Sequence, residues 1–88
     1  MTYSKANWDK YIASINTHPM MQGKSEDDNY NEIIQIVKLS DITDAIYFSV
    51  GYNPDWFYAE VKALGGKKLI NVLKNNPEQL MSMLISMD

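Results

Sequence analysis

Three prolines and one glycine pair set the length of the helices this chain can form. Pro19, Pro54 and Pro77 follow His18, Asn53 and Asn76. A residue before proline is pushed out of the helical region, so each pair reads as a helix boundary. Proline is also welcome at the first helical position, where its missing amide costs nothing. Gly65-Gly66 adds a stop, because glycine takes positive φ freely.

The segments between these marks carry apolar residues at helical spacing. Ser4 is placed to cap a helix whose inward stripe is Trp8, Tyr11, Ile12 and Ile15. Residues 18–24 read as a loop. A second start signal begins at Ser25, with Glu26, Asp27 and Asp28 in a first turn where the helix dipole favours negative charge. Tyr30, Ile33, Ile34 and Val37 continue it. Ser40 or Asp41 caps a third helix carrying Ile42, Ala45, Ile46 and Ser49, closed by Gly51. Asn53-Pro54 opens a fourth, with Phe57, Val61 and Leu64 inward, running to Gly65-Gly66. A short helix over Lys67–Lys74 and a last one from Pro77, with Gln79 set for a capping box, complete the chain. The expected fold is an all-α bundle of five or six short helices. The alternative is α+β. Ile46 to Val50 is rich in β-branched and aromatic residues, so residues 33–51 also suit a β-hairpin packed on helices.

Eighty-eight residues give room for one domain, taken as 1–88. There is no cysteine, which excludes a disulfide scaffold, a thiol nucleophile and cysteine-bound metals. His18 is the single histidine, so multi-histidine metal sites are excluded. No apolar run approaches a membrane span and the N-terminus lacks an apolar core, so a soluble, cytoplasmic protein is expected.

The net charge is −3, and every basic residue is lysine. Without arginine the chain lacks the bidentate forks that grip phosphate and read guanine. The charge is also uneven. Residues 26–60 hold eight acids against Lys38 alone, whereas residues 61–74 hold four lysines and no acid. Such asymmetry steers a charged partner toward one face.

Candidate sites follow from these patterns, each weighed against a plainer explanation. Asp41 and Asp44, at i, i+3 on a helix, share one face as a catalytic carboxylate pair would. First-turn capping accounts for them without chemistry, so no catalytic residue is expected. The oxygen-rich run from Glu26 to Glu32 lacks the central glycine of a calcium loop, so no metal is expected there. Gly65-Gly66-Lys67-Lys68 lacks both the spacing and the hydroxyl of a phosphate loop. Ile42 to Leu64 has the outline of a helix-turn-helix, but the second helix presents Asp55, Tyr58 and Glu60 where phosphate must be met. Lys62, Lys67, Lys68 and Lys74 remain candidates for anion or nucleic-acid contact. Tyrosine and tryptophan are enriched in binding hot spots, and several lie beside acids here. Asp41, Asp44, Tyr52, Asp55, Trp56, Tyr58 and Glu60 are therefore the expected partner-binding set. The last helix is apolar nearly all round, so Met81, Leu84 and Met87 are expected either in the core or against a second copy of the chain.

With no catalytic constellation, no cofactor motif and an acidic balance, the expected function is contact with another protein. An inhibitor or adaptor of the kind encoded by phages or mobile elements fits the size and charge. A small helix-turn-helix regulator, or its co-regulator, is the alternative from a different class.

Overall fold

The structure, a computed structural model, describes residues 3–51 and 54–86; the side chains of Pro54 and Trp56 are not described. The chain is all-α, with six short helices and one small hairpin among the described residues. It divides into two compact units, Ser4–Tyr52 and Asn53–Asp88, the latter including Met1–Tyr3.

In the first unit, α1 (Lys5–Ile15) starts where Ser4 accepts the Asn7 amide proton on its side chain at 3.1 Å. It ends three residues before His18, with Asn16 as its C-cap. Two short 3₁₀ turns, Pro19–Met21 and Lys24–Glu26, carry the chain to α2 (Asp28–Val37). His18 opens the first of these turns: its Nδ1 accepts the Met20 amide proton at 3.2 Å. The residue that caps α2 is Asp27 rather than Ser25, its carboxylate accepting the Asn29 and Tyr30 amide protons. Lys38 closes α2 in the left-handed region at φ 62°, and Leu39 leads into α3 (Ser40–Ser49). Gly51, at φ 77°, ends α3 by donating its amide to the Ile46 carbonyl.

Residues 33–51 are thus helical, and the β-hairpin considered for them is not formed. The apolar pattern decides this. Ile42, Ala45 and Ile46 are all buried, as a helix allows for i, i+3 and i+4. In a strand, Ala45 and Ile46 would point to opposite faces. Trp8, Ile15, Met21, Tyr30, Ile33 and Val37 are buried with them, and α3 packs against both α1 and α2.

In the second unit, α4 (Pro54–Tyr58) is five residues long. The helix expected as far as Leu64 stops early. Glu60–Val61 is instead a short strand, β1, paired antiparallel with β2 (Lys67–Lys68), so that Glu60 opposes Lys68 and Val61 opposes Lys67. A 3₁₀ turn, Lys62–Leu64, and the left-handed pair Gly65 and Gly66 reverse the chain between them. Phe57 and Leu64 are buried as expected, but a turn, not a continuous helix, brings Leu64 inward. The next helix begins later than expected, with α5 at Leu69–Asn75, because Lys67 and Lys68 belong to the hairpin. The last is α6 (Pro77–Ser86), which packs on α5. Leu69, Val72, Leu80, Leu84 and Ile85 are buried in this unit.

Candidate functional site

Asp44 is a buried acid of the first unit. It sits mid-helix in α3 and is 6% exposed. The Tyr30 hydroxyl donates to its Oδ1 at 2.7 Å, and the Lys24 ammonium lies 2.9 Å from the same oxygen. The Asn16 side-chain amide donates to Oδ2 at 3.2 Å. Lys24 also donates to Asn16 Oδ1 at 2.7 Å, which closes a ring of three side chains, Asp44, Lys24 and Asn16, with Tyr30 joined to it through Asp44. The C-terminus of α1, the second 3₁₀ turn, α2 and α3 thus all meet on one carboxylate. A buried charge is tolerable only when paired and hydrogen-bonded in this way. Burial, then the bond to Asp44, pushes the Tyr30 hydroxyl pKa above its ordinary value.

Asp41 and Asp44 do not form a carboxylate pair. Asp41 accepts the Trp8 indole proton at 2.8 Å through Oδ2, and the Ile42 amide proton through Oδ1. Asp44 is buried and Asp41 half-buried, and both carboxylates are engaged within the unit, so neither has the free exposure expected of the partner-binding set. The first-turn explanation also fails for Asp44, which lies a full turn into α3.

A second polar link joins α2 to α3. The Tyr47 hydroxyl donates to Asp27 Oδ2 at 2.9 Å while Oδ1 caps the helix. These bonds, the one from Tyr47 first, hold the Asp27 carboxyl below the usual range. The same bond raises the Tyr47 hydroxyl pKa. The Tyr30 and Tyr47 rings meet edge to face, with centroids 5.4 Å apart. His18 packs edge-on against Phe48 at 5.2 Å, a structural role for the single histidine.

In the second unit, Asp55, Tyr58 and Glu60 are exposed, and Tyr58 retains 56% of its surface. Tyr52 lies outside the described residues, as does the Trp56 side chain. Lys62, Lys67, Lys68 and Lys74 are all exposed. The proposed recognition helix of a helix-turn-helix is the five-residue α4, too short to lay several side chains along a groove. Leu84 is fully buried within the second unit, in line with the first of the two places expected for it, the core. Met81 is partly exposed, and Met87 lies outside the described residues.

Among the described residues no group of three histidines, cysteines or acids is placed to hold a metal ion, and no helix is long and apolar enough to cross a membrane. The acid balance is unequal between the units. Ser4–Tyr52 carries seven acids and four lysines, while Asn53–Asp88 carries four of each.

Two features escaped sequence reasoning. The Asp44 ring had one local signal, an acid inside the apolar run Ile42–Ile46, but nothing in the sequence names its partners. The other is a set of asparagines at 71, 75 and 76, exposed beside Lys67. Their density between Asn71 and Pro77 was the available signal. The chain matches no family model, no curated protein and no solved structure.

Proposed function

We propose that the protein acts by contact with another protein, as an inhibitor or adaptor, through the edge formed by Asp55, Tyr58 and Glu60. One observation carries this reading: Tyr58 is 56% exposed at the end of α4. A tyrosine ring left in water gives up the stabilisation its burial would bring, roughly 1.5–3 kcal/mol for a large side chain. Tyrosine recovers that energy when a partner covers it, at low entropic cost, because few torsions need fixing. The flanking exposed acids suit a partner with a basic surface. Asp41 and Asp44 take no part, their carboxylates being held within the first unit.

The test is paired capture from cells that contain the partner, using immobilised wild-type chain and Tyr58→Ala. A polypeptide retained by the wild type, released by salt and lost with Tyr58→Ala supports the reading. Equal retention by both chains, with the variant folded, contradicts it.

A further inference from the structure

In the first unit, residues 16–27 run from α1 to α2 through two 3₁₀ turns, the first of which lies against α3. The backbone bonds of these turns are local: Met21 donates to His18, Gln22 to Pro19, Glu26 to Gly23 and Asp27 to Lys24. Among the described residues no backbone bond ties the segment to α3. Met21 is its one buried apolar side chain, while Pro19 and Met20 are exposed. Apolar burial therefore does little to offset the entropy of ordering this stretch. The helices beside it differ, sharing a core of Trp8, Ile15, Ile33, Val37, Ile42 and Ile46.

Polar side chains fix the segment instead, and most of them end on a carboxylate. Lys24 and Asn16 both meet Asp44, at 2.9 and 3.2 Å. At the far end, Asp27 accepts the Tyr47 hydroxyl proton at 2.9 Å. His18 lies edge-on to Phe48, and Asn31 of α2 donates to the Ser25 carbonyl. Ionised Asp44 holds the Lys24 ammonium close. A protonated Asp44 has no charge to hold it, and Lys24, whose side chain is 26% exposed, is drawn to water. Asn16 Oδ1 then loses its Lys24 donor as well. The other titratable groups packed around this point are accounted for. Tyr30 stays neutral in acid, Asp41 is engaged with Trp8, and Glu26 and Asp28 are exposed. His18 and Asp27 belong to the segment itself.

We propose that residues 16–27 form an acid-released strap: protonation of Asp44 frees Lys24, and the strap leaves α3 while the three helices stay packed. Segments with few buried apolar contacts open below the cost of global unfolding. Release uncovers Met21 and more of the half-buried Phe48. The device is independent of the Tyr58 edge, and its test uses no protein partner.

The test is NMR of the full chain with labelled methionine and isoleucine methyl groups. The sample is titrated from about pH 7 to about pH 3, across the ordinary carboxylate range. The Met21 methyl reports the strap, and the buried Ile33 and Ile46 report the core. The Met21 signal is expected to move to the position of exposed Met20 while Ile33 and Ile46 keep their native positions. Asp44→Asn is expected to place Met21 there already at neutral pH. So is Lys24→Met, which removes the cation, leaves the carboxylate and decides the matter where Asp44→Asn does not fold. His18→Asn keeps a capping oxygen that takes up no proton, and is expected to leave the transition unchanged. A Met21 signal that stays in place to about pH 3, or moves only together with the core methyls, overturns the proposal. So does a closed strap at neutral pH in a folded Asp44→Asn or Lys24→Met chain. Global unfolding of both variants, or loss of the transition in His18→Asn, overturns it too.

Discussion

The Tyr30 hydroxyl reaches the Asp44 carboxylate at 2.7 Å, across fourteen residues of sequence, and fastens α2 to α3 at a point closed to solvent. Lys24 and Asn16 complete the shell around the same carboxylate. Removing one donor strands part of a buried charge, at a cost of roughly 1–3 kcal/mol. Tyr30→Phe is therefore expected to lower the melting temperature of the first unit by several degrees. Asp44→Ala is expected to cost more, because it leaves a hydroxyl, an amide and an ammonium without their acceptor. Lys24→Ala is expected to cost less than Asp44→Ala, since the Lys24 side chain is 26% exposed. Thermal denaturation followed by circular dichroism ranks the three.

The same contacts give the fold a pH dependence. The Tyr30 and Tyr47 hydroxyls titrate above their ordinary value in the folded chain. Their contribution is fully present below about pH 10, where free tyrosine ionises, and is lost as pH rises beyond it. Asp27 titrates below its ordinary value, so its contribution is present above about pH 4 and is lost as pH falls through the folded-state pKa. Stability is expected to decline at both ends. Tyrosinate absorbance in an alkaline titration checks the upper limb: two of the six tyrosines are expected to ionise only as the helical signal is lost. Ionisation of every tyrosine near pH 10 with the helices intact would contradict it.

Lys38 holds a left-handed conformation at φ 62° at the end of α2. A side chain there costs about 1 kcal/mol that glycine avoids. Lys38→Gly is expected to stabilise the chain slightly, by up to about 1 kcal/mol after its own unfolded-state entropy is counted. Lys38→Val is expected to destabilise it, since a branched side chain fits that region worst. Denaturant midpoints separate the two substitutions.

Leu84 is fully buried in α6. Leu84→Ala is expected to cost about 2–5 kcal/mol through the cavity it leaves. The elution volume of the folded fraction is expected to stay unchanged, because that side chain faces the interior and not a second copy. A folded variant whose elution volume shifts would restore Leu84 to an interface.

Much of the fold was legible because its boundaries are local. Ser4, Pro54, Pro77 and Gly51 act on amides and torsions within a few residues, so a reader needs no tertiary information to place them. The helical choice for residues 33–51 was also legible in the spacing of Ile42, Ala45 and Ile46. Between Ala59 and Lys68 local reading failed. Phe57, Val61 and Leu64 satisfy helical spacing, yet Val61 belongs to a hairpin whose other strand lies past two glycines. Spacing cannot tell a helix from a turn that buries the same residues. The candidate site divided in the same way. The exposure of Tyr58 agrees with its polar neighbours in sequence. The withdrawal of Asp44 depends on Asn16, Lys24 and Tyr30, which only the tertiary fold assembles. An acid reads as surface until its partners are known.

The central claim is that the Tyr58 edge meets another polypeptide. Site-specific photocrosslinking tests it most directly, with a photoreactive phenylalanine at position 58 and, as control, at exposed Gln35. The expected result is one discrete adduct with a polypeptide from position 58 and none from position 35. No adduct at 58, or the same adducts at both positions, would contradict the claim.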